Sequence, residues 1–184
     1  MTETPEIPET SNRKLNRAIA TTVVILSVAM ALTKIKDDNI VQAMQADTAA
    51  KIDYWGEYQA TRIKLHVEEV AAVQYGMAAG APARAAAQTS EAATAKYQRE
   101  AGDLKTKALA SAGDYDQQGY RDDQFDLSDG FASIALAVTA ISALIESWGL
   151  LCLGWGSAAL ALLFSVAGFA RLPIHPDALI AFLT

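Results

Sequence analysis

The side chains that could do chemistry are few, and they are scattered along the sequence. His66 and His175 are the only histidines, and Cys152 is the only cysteine. A zinc site would need a second histidine or paired carboxylates close by, and His66 has only Glu69 at helical spacing. A single cysteine excludes a disulfide within the chain, and its position in an apolar run predicts a small buried side chain.

These residues do not indicate catalysis. A Ser-His-Asp or Cys-His set cannot be assembled plausibly, because the histidines lie far apart and the thiol lies in an apolar segment. The Gly-rich runs GMAAGAPA and GLLCLGWG lack the spacing and context of phosphate-binding loops. We therefore predict no enzyme activity, no cofactor and no metal, and we interpret both histidines as surface or helix-seam residues.

Four aspartates crowd the sequence just before the second apolar segment: Asp122, Asp123, Asp126 and Asp129. One interpretation is an acidic mouth that attracts cations to a pore built from several copies. The other is charge that favours the positive N-terminal end of a helix. No acidic residue lies well inside an apolar segment, although ion pumps and proton relays usually need one there.

Apolar side chains make up 52% of the chain and are concentrated towards its two ends. Residues 18–33, 130–145 and 148–170 carry no charge and are long enough to predict three membrane spans. Only Glu146 and Ser147 separate the last two, so these should form an antiparallel membrane hairpin. We assign residues 13–33, 127–146 and 147–171 to the transmembrane helices, 1–12 to a disordered tail and 172–184 to an interfacial tail.

Two features of the apolar segments refine this assignment. Ala29-Met30-Ala31 has the form of a signal-peptide cleavage site, so the first segment is either a retained anchor or a cleaved leader. Small residues recur every four positions on the other two spans, which allows helix backbones to approach closely. These residues are Ala135, Thr139 and Ala143 on the second span and Ser157, Ala161 and Ser165 on the third.

Residues 34–126 form a long, Ala-rich segment in which opposite charges are interspersed, as on solvated helices. Gly80 and Pro82 predict a turn near residues 80–82, so the segment should be an antiparallel helical hairpin, or stalk. Pairing about residue 81 places Trp55 near Leu104 and Leu65 near Tyr97. The run GDYDQQGY at 113–120 predicts a kink or a short break in the second helix.

Apolar residues follow two stripes along the first stalk helix, which implies more than one neighbour. The second stripe either contacts another subunit or is half-exposed. Strict heptads fail, so a regular coiled coil is not predicted. Candidate interaction residues in the stalk are Ile52, Trp55, Tyr58, Leu65, Tyr97 and Leu104.

Two passages resemble a known family. They are WGEYQATRIKLH at 55–66 and QFDLSD at 124–129, which leads into an Ala/Ile/Leu-rich span. With the order of one span, helical stalk and two spans, the chain resembles the bacterial membrane family named domain of unknown function 4337 from about Arg13 to Arg171. Gly56-Glu57 departs from the second aromatic residue expected there. The resemblance implies a multi-pass protein of the bacterial inner membrane and adds no catalytic residue.

The sequence therefore predicts an all-α integral membrane protein with a projecting stalk. Its expected partners are the lipid bilayer and either its own copies or another envelope protein, and its charge is not basic enough for nucleic acid. The first functional hypothesis is a structural or interaction protein that acts through the stalk. The alternative is an oligomeric channel or transport-associated subunit with the acidic mouth described above.

Overall fold

A computed structural model describes residues 12–183. It contains four helices: α1 (Arg13–Met77), α2 (Ala81–Leu144), α3 (Trp148–Ala170) and α4 (Asp177–Leu183). No strand occurs among the described residues. The all-α prediction is therefore confirmed, while the disordered tail predicted for 1–12 lies almost entirely outside the described part of the chain.

The boundaries of the two long helices follow from a few residues. Asn12 Oδ1 accepts a hydrogen bond from the Leu15 backbone N–H at 3.4 Å, which caps the start of α1. Gly80 has a φ of +111°, a backbone conformation that side chains with a Cβ rarely adopt, and it separates α1 from α2. Pro82 then lies in the first turn of α2, where no helical N–H is needed. The break falls at residues 78–80, beside the predicted turn.

A break at residues 113–120, one of the two alternatives predicted there, is wrong, because the whole run is helical within α2. Gly113 and Gly119 each lower helix propensity by about 1 kcal/mol relative to alanine. The long helical segments of α2 on either side of the run outweigh this local cost in free energy, since helix propagation is cooperative.

The chain divides into two compact units. Unit 1 comprises Met1–Val41 with Tyr120–Thr184, and unit 2 comprises Gln42–Gly119. Both α1 and α2 contribute to each unit, whereas α3 and α4 belong to unit 1 alone.

In unit 1, the start of α1 packs along α3 in the same direction. Leu15 and Ile19 form a buried cluster with Leu151, and further along the helix Thr33 Oγ1 lies 3.1 Å from Ser165 Oγ. Trp155 Nε1 donates a hydrogen bond to Thr22 Oγ1 at 2.9 Å. The first apolar segment is therefore held against the third by both apolar and hydroxyl contacts.

Helices α2 and α3 run in opposite directions and approach closely. Ser128 Oγ donates to the Ala161 carbonyl at 2.9 Å, and Ser157 Oγ donates to the Phe131 carbonyl at 2.7 Å. A Cβ placed on Gly154 would lie 2.9 Å from Thr139 Oγ1, so glycine permits this approach. Most of the predicted small-residue positions are covered by neighbouring helices: Ala135, Thr139, Ala161 and Ser165 are buried and Ser157 is half-buried, whereas Ala143 is exposed.

Large aliphatic side chains cover the outside of unit 1. Val24, Leu32, Ile134 and Leu153 are each more than half exposed, although serine and threonine side chains are buried between the helices. Three helices, α1, α2 and α3, each contain a segment long and apolar enough to cross a membrane. Cys152 also lies on this outer surface, so the prediction that its side chain is buried is wrong. Leu151 and Gly154 turn towards the other helices, whereas Cys152 and Leu153 occupy the outer side of α3.

In unit 2, residues from α1 and α2 contact each other in antiparallel order. Lys107 Nζ lies 5.7 Å from the centroid of the Tyr54 ring, and Lys64 Nζ lies 6.0 Å from that of Tyr97. These contacts fall within one residue of the pairing predicted about residue 81. The buried side chains are mostly small, so this core is thin: Thr61, Leu65, Ser90, Ala101, Leu104, Ala108 and Ser111.

Candidate functional site

A row of aliphatic side chains on α1 of unit 2 is exposed. We define the aliphatic face as Ile52, Ile63, Val67, Val70 and Val73, whose exposed fractions are 63%, 67%, 59%, 42% and 64%. A monomeric soluble protein rarely leaves so many large aliphatic side chains uncovered on one element. The face therefore marks a candidate interaction surface.

The spacing of these residues places them on one side of the helix. Ile52 and Ile63 are eleven residues apart, which corresponds to about three helical turns. Val67 and Val70 follow at intervals of four and three residues, so they continue the same stripe. Leu65 lies about 200° around the helix from Val67 and is 2% exposed against α2. The aliphatic face thus points away from the contact with α2.

The six predicted interaction residues divide between the core and this face. Ile52 belongs to the face, whereas Leu65 and Leu104 are buried in unit 2. Trp55, Tyr58 and Tyr97 are half-buried, and the Trp55 and Tyr58 rings pack edge to face with centroids 5.3 Å apart. Sequence reasoning missed the other four members of the face, although the eleven-residue interval between Ile52 and Ile63 could have revealed them.

A second candidate site lies in unit 1, where α1 and α2 bring acidic side chains together. We define the carboxylate cluster as four aspartates and the lysine that contacts one of them: Asp37, Asp122, Asp123, Asp126 and Lys34. Asp37 is only 5% exposed, and its Oδ2 accepts a hydrogen bond from Lys34 Nζ at 2.7 Å. Lys34 Nζ also lies 3.4 Å from the exposed Asp38 carboxylate, and these hydrogen bonds and charges raise the pKa of Lys34.

Two acidic groups of the cluster, Asp122 and Asp126, have raised pKa values. Burial raises the pKa of Asp122 to about 7, and the negative charge of the Asp37 carboxylate adds to this effect. The pKa of Asp126 is raised for similar reasons, first by burial and then by the charge of Asp37, although Lys34 opposes the shift. Among residues 12–183, no donor reaches the buried Oδ1 atoms of Asp37 and Asp122.

Asp123 instead fixes the C-terminal tail. Its Oδ2 lies 2.9 Å from His175 Nε2, while His175 Nδ1 lies 2.5 Å from Asp177 Oδ1. The imidazole also stacks on the Tyr120 ring at a centroid distance of 4.0 Å. Burial lowers the pKa of His175, but the two carboxylate contacts outweigh it, so the net pKa is raised.

The tail has a further anchor on α2. Gln124 is fully buried, and its Nε2 donates to the carbonyls of Leu172 and Ile174 at 2.9 and 2.7 Å. Arg121 Nε donates to the Gly168 carbonyl at 3.3 Å, and burial followed by repulsion from Arg171 lowers the pKa of Arg121. The side chains that hold the tail therefore come from one short stretch of α2.

The four aspartates of the predicted acidic mouth have different surroundings in one copy of the chain. Asp122 is half-buried beside Asp37, and Asp123 binds His175. Asp126 and Asp129 are exposed. Sequence reasoning missed Asp37, which resembled one more solvated charge among lysines, and it interpreted the largely buried His175 as an ordinary surface or seam residue.

In the part of the chain that is described, no group of three or more His, Cys, Asp or Glu side chains has the geometry to hold a metal ion. The His66 side chain is 78% exposed, with its Nδ1 3.7 Å from Glu69 Oε2. This surface position agrees with the interpretation made from its sequence neighbours.

A family model described as Domain of unknown function (DUF4337) matches residues 15–171. No curated protein and no solved structure matches the chain. The match covers both units, including the aliphatic face and the carboxylate cluster. The chain therefore belongs to this family.

Proposed function

We propose that this family member is a non-enzymatic interaction protein of the bacterial inner membrane, which assembles with copies of itself through the aliphatic face. In this proposal α1, α2 and α3 each cross the membrane once. Residues 34–126 form the helical hairpin outside the lipid. The single observation that carries the proposal is the row of exposed aliphatic side chains on the side of α1 opposite Leu65.

The surface chemistry of unit 1 supports insertion in a membrane. Its outward side chains are aliphatic, whereas Ser128 and Ser165 are buried and form hydrogen bonds with neighbouring helices. Lipid offers no hydrogen bonds, so hydroxyl groups are stabilised between helices while aliphatic groups face the acyl chains. In water this arrangement would expose a large apolar surface.

We infer a partner other than lipid for the aliphatic face, because charged residues lie on the same stretch of helix. Arg62, Lys64 and Glu69 share its stretch of helix and are exposed, so this stretch is unsuited to a lipid core. A protein surface can cover the aliphatic side chains and leave those charges at a solvated rim. We infer a second copy as the partner, since copies anchored in the same bilayer meet at a high effective concentration.

The energetic scale is consistent with self-association in a membrane. Burying each of these side chains contributes about 1–2 kcal/mol, so ten from two copies contribute roughly 10–20 kcal/mol. Association in solution costs about 4–15 kcal/mol. Anchoring both copies in one bilayer reduces that cost because it raises their effective concentration.

Photocrosslinking in native membranes tests this proposal. A photoreactive amino acid at Val67 should give a crosslinked species of twice the chain mass, whereas the same probe at the exposed Gln98 on α2 should give little. The double variant Ile63→Ser and Val67→Ser should lose the crosslink from a probe at Val70. Leu109→Ser is the matched control, because Leu109 is 55% exposed but lies on α2. A chain that stays monomeric with the probe at Val67 contradicts the proposal.

A channel remains the second candidate because Asp126 and Asp129 are exposed next to the second apolar segment. Several copies could arrange these carboxylates around a common mouth. Conductance in reconstituted bilayers would favour this function if Asp126→Asn and Asp129→Asn together reduced cation selectivity. Unchanged selectivity would count against it.

A further inference from the structure

Asp37 on α1 and Asp122 on α2 bring two carboxyl groups together. The side chains described around them do not supply hydrogen-bond donors for their buried Oδ1 atoms. Asp37 is 5% exposed, and Lys34 occupies only its Oδ2 atom. Within residues 12–183, the Oδ1 atoms of Asp37 and Asp122 are both buried and neither receives a hydrogen bond. A buried carboxylate oxygen without a donor is costly, and two such oxygens on neighbouring groups also repel each other.

The charged groups nearby do not offset the free-energy cost of burying these two carboxylates. Lys34 is the cation that contacts Asp37, and its side chain is 60% exposed and shared with Asp38. On α2, further negative charge comes from Asp123 and Asp126. On the C-terminal tail, the facing titratable group is His175, which binds Asp123 rather than either member of the pair.

We propose that Asp37 and Asp122 bind one proton between them, in a carboxyl–carboxylate hydrogen bond that joins α1 to α2. One proton supplies the donor that both Oδ1 atoms lack and removes one of the two negative charges. The raised pKa of Asp122, about 7, agrees with this arrangement. The proton is thus exchanged near neutral pH, and the site is a proton-binding site beside the first and second apolar segments.

The direction of the pH effect follows from linkage. The pKa of Asp122 is raised from 3.8 to about 7 in the folded chain, so folding favours the protonated form. The stabilisation is fully present below about pH 4 and is lost as the pH rises through about 7. At higher pH the two ionised groups repel each other, and the contact between α1 and α2 is weakened.

Infrared titration of the full-length protein in detergent micelles tests the site directly. With aspartate labelled with ¹³C at its carboxyl group, a protonated-carboxyl C=O band should persist at pH 5.5 and disappear with a midpoint near pH 7. Asp122→Asn should abolish this transition, and Asp37→Asn should shift its midpoint down. Asp116→Asn, an exposed aspartate on α2 in unit 2, should leave it unchanged.

Thermal unfolding provides a second measurement. The melting temperature of the wild type should fall between pH 5.5 and pH 8.5, and Asp122→Asn should reduce that fall because its side chain stays neutral. A wild-type carboxyl band that has disappeared by pH 5 would overturn the proposal. A band displaced by Na⁺ or Ca²⁺ at constant ionic strength would also overturn it, since a cation would then occupy the pair. The wild-type titration decides the question even where a variant fails to fold.

Discussion

The two units of this molecule expose similar aliphatic side chains for different physical reasons. In unit 1, the exposed aliphatic residues belong to uncharged segments, and the polar side chains are buried between helices. In unit 2, the exposed aliphatic residues stand among charges, and the core consists mainly of alanine, serine, threonine and two leucines. The charges around an exposed valine or isoleucine therefore decide whether we infer lipid or a protein surface as its neighbour.

The internal contacts differ in the same way. Unit 1 is held by close approach of backbones, by hydroxyl groups and by the polar anchors of its tail. Unit 2 relies on a few larger side chains in a thin core. Substitutions that remove volume should damage unit 2, and substitutions that add volume should damage unit 1.

The largest effect is expected from Leu65→Ala in unit 2. Leu65 is 2% exposed, and its loss leaves a cavity that the small neighbours cannot fill, at a cost of about 2–3 kcal/mol. Hydrogen exchange of residues 42–119 in micelles should accelerate by roughly 30- to 100-fold, since about 1.4 kcal/mol corresponds to a factor of ten. Leu109→Ala is the control and should change exchange little, because Leu109 is 55% exposed and lies outside the aliphatic face. Equal effects of the two substitutions would show that the core and the exposed surface are not distinct.

A slightly smaller effect is expected from Gly168→Ala in unit 1. The new Cβ would lie 2.7 Å from the buried Phe125 ring, so the ring or the helices must move, at a cost of about 1–3 kcal/mol. The melting temperature in detergent should fall. Gly156→Ala on the same helix is the control, because its Cβ would meet nothing within 4 Å. If both variants melted alike, close packing would not be what stabilises unit 1.

Part of the fold could be predicted from the sequence alone, and the carboxylate cluster could not. Uncharged runs, glycine and proline predicted the apolar helices and the break near residue 80, because these depend on local pattern. The predicted neighbour of Tyr97 was Leu65, and the observed contact with Lys64 differs from it by one residue. The carboxylate cluster could not be predicted, since Asp37 looks like a solvated charge until Asp122 lies beside it. The contact between His175 and Asp123 joins residues 52 positions apart, and no periodic signal connects them.

The smallest effect concerns the tail of unit 1. The pKa of His175 is raised, so its cationic form should stabilise the contact with Asp123 below the ordinary histidine pKa, and the contact should weaken as the pH rises through the raised value. NMR titration should show His175 titrating above the ordinary histidine pKa. His66→Gln identifies the remaining signal as that of His175. A His175 that titrates at or below the ordinary value, or that is unaffected by Asp123→Asn, would contradict this account.

The exposed position of Cys152 on α3 has a practical consequence. Because the chain has no other cysteine, each copy carries a single native thiol to which a spin label or fluorophore can be attached without any substitution. Counting bleaching steps, or measuring label-to-label distances in a bilayer, then reports the number of chains in one particle and their separation.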